Sequence, residues 1–218
     1  MRTRTEVLSL LTDPGIIAVV RTPKAAQLLP IAEALVAGGV LAVEVTLTVP
    51  GALEGIRQVS AALGSRGLVG AGTVLDAKSC HAVIEAGAEF IVSPITRAEI
   101  VTAAHAADRP VMLGAYTPTE AQTAYEAGAD FIKLFPADKL GPAHVKALRA
   151  PLPHLKIVPT GGVDLNTAAD FLRAGCVALG VGGSLLTPEI LRAEDWPALS
   201  RLAAEYVRIA REMRKAGR

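Results

Sequence analysis

Cysteine and aromatic residues are scarce in this chain, and neither sign of charge dominates it. Two cysteines among 218 residues, Cys80 and Cys176, provide neither a disulfide framework nor the CxxC spacing of a metal site. This low cysteine usage predicts a reduced, cytoplasmic compartment. The formal net charge is only +1, and the basic run REMRKAGR is confined to the C-terminal residues. We therefore predict a solvated helix end there and no nucleic-acid partner.

Long apolar runs are also missing. The most apolar late stretch, CVALGVGGSLL, is short and rich in glycine, so we predict no membrane span. The N-terminal residues MRTRTEVLSLLTDPG lack the apolar core and cleavage site of a signal peptide. No GxGxxG follows the first apolar run, which argues against a dinucleotide-binding fold. The four histidines have no HxH or HxxxH spacing, so we expect no metal ion.

What the chain does contain is eight short apolar runs that alternate with amphipathic segments. Hydrophobic residues make up 51% of the sequence, and the runs are rich in valine and isoleucine, as strands are. The predicted strands span residues 15–21, 41–47, 67–74, 89–94, 110–116, 130–136, 155–162 and 177–185. Strands that alternate with helices form parallel sheets, and eight such units favour a closed barrel. We predict an α/β fold, a single (β/α)8 TIM barrel domain over residues 1–218, with residues 190–218 as a terminal helix on the barrel wall.

Two charged residues interrupt apolar strands. Lys133 lies in DFIKLFP, and Glu44 lies in LAVEVTL. Because side chains alternate along a strand, Lys133 shares a face with Phe131 and Phe135. Burial inside a barrel disfavours an ammonium ion, and a neutral amine can attack a carbonyl carbon to form a Schiff base. Glu44 would then be a general acid and base, whereas the structural alternative is a buried salt bridge between the two residues.

Polar residues at the predicted strand ends are the other candidates, because functional groups of such barrels gather at the carboxyl ends of the strands. The full set is Arg21, Glu44, Thr46, Thr73, Ser93, Lys133, Thr160 and Ser184. PTGG (159–162) ends the seventh run and GVGGS (180–184) ends the eighth, where many barrels bind phosphate. Glycines in these loops let backbone N–H groups approach an anion, and the Ser184 hydroxyl would add a further donor.

Arg21 and Thr73 each allow two interpretations. Arg21 follows the first strand, and its guanidinium matches a carboxylate or a phosphate, but a surface arginine would look the same. Thr73 in GAGTV has small neighbours that leave space for a ligand, yet a β-branched residue is also ordinary in a strand. The residues alone leave both alternatives open.

Taken together and in order, the motifs VEVTL, GAGTVL, SP after the fourth strand, FIKLFPA, PTGG and GVGGS resemble a known family. They are similar to the 2-dehydro-3-deoxy-6-phosphogluconate (KDPG) aldolases and the related 4-hydroxy-2-oxoglutarate (KHG) aldolases, over roughly residues 10–190. The resemblance implies a class I aldolase without a metal or other cofactor. It also implies a homotrimer of (β/α)8 barrels.

Residue by residue, the resemblance implies that Lys133 forms the Schiff base and that Glu44 is the general acid and base. Thr73 and Pro94 would line the pyruvate pocket. The residues implied to hold the phosphate are Gly161, Gly162, Gly183 and Ser184. Thr160 occupies the position associated with the choice between the gluconate and galactonate epimers, and threonine there is similar to the gluconate enzymes.

One position departs from the family pattern. KDPG aldolases often read EVTLRT after strand two, whereas this chain reads EVTLTVPGA, so Thr48 takes the place of a substrate-binding arginine. Arg21 in AVVR matches an arginine that the galactonate relatives use after strand one. We therefore expect carboxylate binding to have moved to strand one. The expected ligands are pyruvate and a phosphorylated keto acid, with KDPG first and the galactonate epimer or KHG as alternatives.

Two other functions remain open on the same fold. A phosphosugar isomerase or epimerase would share the phosphate loops, but it does not need a strand lysine, and an epimerase would need metal ligands. A non-catalytic phosphosugar-binding barrel would explain the glycines. It would leave the cost of burying Lys133 and Glu44 without a reason.

Overall fold

A computed structural model describes residues 2–216, in which eight strands alternate with helices. The strands are β1 (Ile16–Val20), β2 (Ala42–Thr46), β3 (Leu68–Gly72), β4 (Phe90–Val92), β5 (Val111–Ala115), β6 (Phe131–Leu134), β7 (Ile157–Pro159) and β8 (Leu179–Val181). The helices within these residues are α1 (Arg4–Thr12), α2 (Leu28–Ala37), α3 (Ala52–Leu63), α4 (Ala77–Glu85), α5 (Ala98–Ala106), α6 (Pro118–Glu126), α7 (Gly141–Arg149), α8 (Ala168–Arg173), α9 (Pro188–Ala193) and α10 (Trp196–Ala216).

The sheet closes on itself as a barrel. All strand pairs are parallel and follow chain order from β1 to β7, and β8 pairs with β1. The last seam, between β7 and β8, is joined by a parallel bridge between Thr160 and Gly180. A hydrogen bond of 3.0 Å from the Val177 N–H to the Ile157 carbonyl crosses the same seam. The prediction of a (β/α)8 barrel is therefore confirmed.

The inside of the barrel is packed at its amino-terminal end. Large side chains such as Phe90, Met112 and Phe131 form a cluster there that is separate from the core between strands and helices. Helix α1 contributes Val7 and Leu11 to this cluster, so it closes the end of the barrel. Burial of these apolar side chains stabilises the barrel, at about 25 cal/mol for each Å² removed from water.

Helix α1 was not predicted from the sequence, although a signal for it was present. Thr3 and Glu6 form a capping box: the Thr3 N–H donates to the Glu6 carboxylate at 2.7 Å, and the Glu6 N–H donates to the Thr3 hydroxyl at 3.3 Å. This spacing of threonine and glutamate is a known helix start. Arg2 pairs with Glu89 at 2.7 Å and helps to hold the helix in place.

A second anchor of α1 is centred on Asp130, at the start of β6. Its carboxylate lies 2.5 Å from the Arg4 guanidinium and 3.0 Å from His105 Nε2. It also accepts a hydrogen bond of 2.9 Å from the Val111 N–H. Because each neighbour is a donor aimed at this buried carboxylate, its charge is well compensated.

The two late strands are shorter than predicted. Residues 155–162 and 177–185 were expected to be strands, but β7 ends at Pro159, before Gly161, and β8 ends at Val181, before Gly182. Gly161 and Gly162 adopt φ angles of +87° and +70°, which an extended strand does not allow. The glycines that suggested a phosphate loop after β7 are therefore also the reason why β7 ends early.

The expected single helix over residues 190–218 was wrong in one respect: the chain forms two helices, α9 and α10. They are separated by Glu194, whose φ of 52° is left-handed, and Asp195 begins α10 by accepting the Ala198 N–H at 2.9 Å. Residues 217–218 lie outside the described residues. Across residues 2–216, α10 included, no helix combines the length and apolar character needed to cross a bilayer.

Candidate active site

Lys133 on β6 and Glu44 on β2 meet inside the barrel. Lys133 Nζ lies 3.6 Å from Glu44 Oε1, and the two side chains are only 6% and 3% exposed. The lysine points inward above Phe131, because alternate residues of a strand share one face. Two strands that lie far apart in the sequence thus bring an amine and a carboxylate together in an apolar interior.

One glycine on the neighbouring strand β3 makes room for Glu44. In the strand register, Glu44 is paired with Gly70 and Lys133 with Gly114, but a Cβ on these two glycines would meet Phe90 and Pro94 instead of the pair. A Cβ on Gly72 would lie 1.9 Å from Glu44 Oε1, so no other residue fits there while the carboxylate keeps its place. The glycines of GAGTV are visible in the sequence and suggest open space. Only the register between β2 and β3 shows that the Glu44 side chain occupies this space.

The pair is not saturated with hydrogen bonds. Glu44 Oε1 is buried without a hydrogen-bond partner among the described residues, and Lys133 is beyond hydrogen-bond distance from it. The Lys133 ammonium lies 5.2 Å from the centre of the Phe135 ring, within range of a cation–π interaction. An amine and a carboxylate oxygen are therefore both available to a ligand or a water molecule.

A cavity of about 530 Å³ opens at the carboxyl ends of β1, β6, β7 and β8, and neither Lys133 nor Glu44 is among the described residues that line it. Six of the residues predicted for the site line it, namely Arg21, Thr160, Gly161, Gly162, Gly183 and Ser184. Phe135 lines it too, and through this ring the cavity adjoins Lys133. A space of this size suits a small-molecule ligand.

The glycines of the cavity differ in why they are glycines. A Cβ on Gly162 would lie 2.4 Å from the Cα of Asp138, and its φ is left-handed, so the protein itself requires glycine there. A Cβ on Gly183 would meet no atom of the described residues within 4 Å. The open space over Gly183 faces the cavity, which is the arrangement expected where a ligand approaches the backbone. The neighbouring Ser184 hydroxyl donates to the Val163 carbonyl.

Arg21 supplies a cation to the cavity, and Thr48 does not reach it. The Arg21 side chain is exposed, lines the cavity and makes no hydrogen bond or ion pair within residues 2–216. The Thr48 hydroxyl lies 2.9 Å from that of Thr46, which in turn donates to the Val20 carbonyl at 3.2 Å. Thr48 thus occupies the position of the family arginine, and its hydroxyl is linked through that of Thr46 to the end of β1.

Thr73 and Pro94 lie at the same end of the barrel, but they are not among the described residues that border this cavity. Thr73 has a φ of 62°, an uncommon left-handed conformation for a β-branched residue and a form of local strain. Pro94 packs so tightly that a Cβ on Gly114 would lie 2.2 Å from its carbonyl. Ser93 is buried and accepts the Ile95 N–H at 3.3 Å, which is a structural role.

Asp164 is a lining residue that was not predicted. Its carboxylate accepts the N–H groups of Asn166 and Thr167, each at 2.9 Å, in the turn that precedes α8. The run DLNT is a turn signal of the kind that aspartate and threonine form with nearby backbone groups. These two hydrogen bonds therefore partly compensate the charge of Asp164, although the residue borders the cavity.

The cysteines are not alternative nucleophiles. Burial raises the pKa of Cys80 to about 11. Burial also raises the pKa of Cys176 to about 12, although the nearby Arg149 charge lowers it. Both are thiols at neutral pH and react poorly. Within residues 2–216, no group of three or more His, Cys, Asp or Glu side chains is placed to hold a metal ion.

Comparison with known proteins adds independent information. The family model for KDPG and KHG aldolase matches residues 7–202. The chain is 36% identical to a 2-dehydro-3-deoxy-phosphogluconate aldolase of Pseudomonas aeruginosa, over 95% of this chain and 94% of that protein. It is 33% identical to a 2-dehydro-3-deoxy-6-phosphogalactonate aldolase of Escherichia coli, over 92% and 97% of the two chains.

Solved structures agree with this relation. The KDPG aldolase of Legionella pneumophila, with pyruvate captured at low pH as a covalent carbinolamine intermediate, superposes with a TM-score of 0.83 at 28% identity. The match covers 90% of this chain and 96% of that chain. The chain therefore belongs to the KDPG and KHG aldolase family and is an aldolase, a lyase of carbon–carbon bonds.

Proposed function

We propose that this protein is a class I aldolase that cleaves KDPG to pyruvate and glyceraldehyde 3-phosphate, with Lys133 as the Schiff-base residue. The observation that carries the proposal is the buried amine of Lys133, 3.6 Å from the buried carboxylate of Glu44. A buried ion pair adds little to stability, because desolvation of the charges offsets their attraction. A cavity lined by Phe135, whose ring centre is 5.2 Å from Lys133 Nζ, opens at the same end of the barrel, and this placement of the pair is better explained by catalysis.

The proposed reaction begins when Lys133 Nζ attacks the C2 ketone. Loss of water from the carbinolamine gives an iminium ion, and Glu44, through a water molecule, takes the proton of the C4 hydroxyl. The C3–C4 bond then breaks, its electrons move into the iminium to form an enamine, and glyceraldehyde 3-phosphate leaves. Protonation of the enamine at C3 and hydrolysis release pyruvate and restore the amine. The iminium is the electron sink, so no metal or other cofactor takes part.

The unpaired oxygen of Glu44 supports its role as the general acid and base. A carboxylate that moves protons needs a free lone pair directed toward the reacting group, and Oε1 has one. Because Gly72 has no side chain, it leaves the space that this oxygen occupies. In the same proposal Thr73 and Pro94 line the pyruvate pocket, a role that rests on the family resemblance and on their position after β3 and β4.

We assign the phosphate of the substrate to the loops after β7 and β8. The proposed phosphate ligands are Gly161, Gly162, Gly183 and Ser184. Backbone N–H groups of glycine loops form concave anion sites, and these two loops border one cavity. Open space over Gly183 supports the assignment, since no packing within the described chain requires glycine there.

The substrate carboxylate is assigned to Arg21. Its guanidinium lies free at the cavity, whereas the Thr48 hydroxyl is engaged with Thr46. A guanidinium can bind a carboxylate through two parallel hydrogen bonds. Thr160, which lines the cavity, keeps the gluconate epimer as the first choice. Arg21 is the feature that favours the galactonate epimer, so this epimer is the second candidate substrate.

We further propose a cytoplasmic homotrimer, following the family resemblance. Several large apolar side chains at the carboxyl ends of the strands are exposed, among them Leu75, Ile95 and Tyr116. Light scattering should give three times the mass of the 22.5 kDa chain. A monomeric mass at micromolar concentration would contradict this part of the proposal.

Borohydride trapping tests the Schiff base directly. Reduction in the presence of pyruvate should attach a reduced pyruvyl group to Lys133, detectable by peptide mass spectrometry. Lys133→Met should show no adduct and no aldol cleavage, while Lys139→Met, which changes a lysine in the loop after β6, should behave as wild type. Absence of an adduct on the wild type, or an equal adduct on Lys133→Met, would overturn the mechanism.

Substrate choice is tested by measuring cleavage of KDPG, its galactonate epimer and KHG side by side. We expect the highest kcat/KM with KDPG. A preference for the galactonate epimer would contradict this expectation and support the second candidate substrate. Binding of phosphosugars without turnover or pyruvate trapping would instead indicate a non-catalytic barrel.

A further inference from the structure

Gln27 is a buried polar residue that the proposed mechanism does not use. It immediately precedes α2 and is only 4% exposed, although glutamine is mostly a surface residue. Its amide is saturated with hydrogen bonds. The oxygen accepts the Thr22 hydroxyl, and the nitrogen donates to the Leu191 carbonyl at 3.1 Å and to Glu194 Oε1 at 2.9 Å. Because a carbonyl and a carboxylate can only accept, these partners fix the orientation of the amide.

The partners of Gln27 lie on two segments of the chain that continue from the lining of the cavity. Thr22 directly follows Arg21, which lines the cavity after β1. Leu191 is in α9 and Glu194 ends it, and α9 follows the loop after β8, which also lines the cavity. One buried amide therefore joins the segment that carries Arg21 to the segment that follows the proposed phosphate loop.

The chain on both sides of Arg21 is fixed by hydrogen bonds. On one side, the Val20 carbonyl accepts the Thr46 hydroxyl at 3.2 Å. On the other side, the Thr22 hydroxyl donates to Gln27. The Arg21 guanidinium itself makes no hydrogen bond or ion pair to a described residue. The position of this guanidinium is therefore set by where its backbone is held.

A purely structural interpretation is that Gln27 caps the end of α9. The Leu191 carbonyl lies in the last turn of this helix, where carbonyl groups find no donor within the helix. A cap explains the hydrogen bonds of the amide nitrogen, but it does not explain that of the amide oxygen. The oxygen accepts from Thr22, which lies outside α9 and next to Arg21. The two ends of the amide thus serve different segments.

We propose that Gln27 is a positioning residue for recognition of the substrate carboxylate: by holding Thr22 against α9, it fixes the point from which Arg21 reaches that carboxylate. This inference rests on the proposed function and deepens it, because it extends carboxylate recognition to a residue that does not line the cavity. Loss of the Gln27 amide should weaken binding through the carboxylate. The phosphate loops should be unaffected, since the Ser184 hydroxyl has its own hydrogen bond to the Val163 carbonyl.

Gln27→Met tests the proposal, because it keeps an unbranched side chain of the same length and removes the amide. The probes are 6-phosphogluconate and sorbitol 6-phosphate, which are phosphate monoesters of the same chain length. The first has a carboxylate at C1 and the second a hydroxymethyl group, and neither has a ketone that Lys133 could attack. Titrated by calorimetry, 6-phosphogluconate should bind Gln27→Met about three- to tenfold more weakly than wild type, the effect of one hydrogen bond. Sorbitol 6-phosphate should bind the two proteins equally.

The comparison of the two ligands separates positioning from a general structural role. Equal weakening of both ligands, or unchanged affinity for 6-phosphogluconate, would overturn the inference. A wild type that does not prefer 6-phosphogluconate to sorbitol 6-phosphate would also overturn it, since Gln27 would then have no carboxylate contact to position. The control is Gln58→Met, the same change at an exposed glutamine of α3 that donates to Glu54 at 3.1 Å, and it should bind both ligands as wild type does.

Thr22→Val is a second variant, which leaves Gln27 in place and removes only the hydroxyl that donates to it. It should reproduce the selective loss of affinity for 6-phosphogluconate, and Thr22→Ser, which keeps a hydroxyl, should restore the affinity. On an Arg21→Met background, Thr22→Val should add no further loss, because the hydroxyl acts through Arg21. Additive losses in this double-mutant cycle would overturn the inference.

These binding measurements keep the inference separate from the proposed chemistry, because neither ligand has to be turned over. Absence of the Lys133 adduct in borohydride trapping would overturn only the Schiff-base mechanism. Equal behaviour of the two ligands in Gln27→Met, with the Lys133 adduct still formed, would overturn only the positioning role of Gln27.

Discussion

The two ends of the barrel treat buried charge in opposite ways. At the amino-terminal end, the Asp130 carboxylate is surrounded by donors, from the Arg4 guanidinium at 2.5 Å to the Val111 N–H at 2.9 Å. At the carboxyl end, Glu44 keeps an oxygen without a hydrogen bond to any described residue, 3.6 Å from Lys133. Saturated charges lower the energy of the fold, whereas unsaturated ones remain available to a ligand.

Strand β6 connects the two ends of the barrel. A structural charged residue and a proposed catalytic one lie within a few residues of each other along it. Asp130, just before the strand, anchors α1, while Lys133, near its end, faces Glu44. Both are buried and charged, so burial alone does not distinguish a structural group from a reactive one. The number of partners already present distinguishes them, and substitutions at the two ends should separate stability from activity.

The largest effect should come from Glu44→Gln, which keeps the shape and removes the charge and the proton-accepting oxygen. We expect kcat for KDPG cleavage to fall by about 10²- to 10⁴-fold, the usual contribution of a general acid and base. Circular dichroism should still show a folded barrel. Glu54→Gln, at an exposed carboxylate of α3, is the matched control and should leave kcat unchanged. A kcat near wild type in Glu44→Gln would assign the carboxylate to structure.

Asp130→Ala should show the reverse pattern. The free energy of unfolding should fall by about 3–5 kcal/mol, because Arg4 and His105 lose the buried carboxylate that compensates them. Urea unfolding measures this change. The kcat and KM of the folded fraction should match wild type. Asp170→Ala is the control, since its exposed pair with Arg173 should contribute less than about 1 kcal/mol.

A smaller effect is expected at the phosphate loops, where two glycines should respond differently. Gly183→Ala should leave stability unchanged and raise the KM for KDPG about tenfold, because its Cβ meets no described atom and projects toward the cavity. Gly162→Ala should reduce stability by about 1–3 kcal/mol, since a left-handed φ and the nearby Asp138 backbone oppose a side chain. Similar stability losses in both variants would contradict the distinction between them.

The smallest effect is expected at Glu120, a carboxylate at the carboxyl end of the barrel that already accepts hydrogen bonds from the backbone. Glu120 caps α6, where it accepts the N–H groups of Tyr116 at 2.9 Å and Thr117 at 2.8 Å. These hydrogen bonds lower its pKa from the ordinary value of 4.5. A lowered folded-state pKa contributes stability above the ordinary value, and this stability is lost as the pH falls through the folded value.

Glu120→Gln should therefore reduce stability by about 0.5 kcal/mol at neutral pH, and the difference from wild type should shrink progressively below pH 4.5. Urea unfolding at several pH values measures it, and activity should not change. A constant difference across this range would show that the charge of Glu120 has no part in the cap.

Much of this architecture was predictable because it depends on short-range periodicity. Alternation of apolar runs with amphipathic segments indicated the barrel, and the period of two along β6 indicated that Lys133 shares a face with Phe131, which the structure places inside the barrel. Polar residues at strand ends, together with the two glycine loops, indicated six of the twelve residues that line the cavity. Each of these inferences needs only neighbouring residues and a rule of local geometry.

The features that were missed depend on register and on tertiary neighbours. Gly72 makes room for Glu44 only because β2 and β3 pair in one particular register. Thr46, which engages Thr48, is itself fixed to the neighbouring strand by its hydrogen bond to the Val20 carbonyl of β1. No local pattern in the sequence specifies these relations.

The small number of backbone contacts between β7 and β8 determines where the barrel opens locally. Strands β2 and β3 are paired along their length, from Ala42–Leu68 to Thr46–Gly72, whereas this seam is bridged at Thr160 and Gly180 and by the Val177 amide. Local opening starts where the fewest backbone bonds must break. The amide protons at this seam should exchange with solvent before those of β2 and β3. A phosphate bound by the loops after β7 and β8 would link the two strands. Substrate binding would therefore oppose local opening of the barrel at this seam.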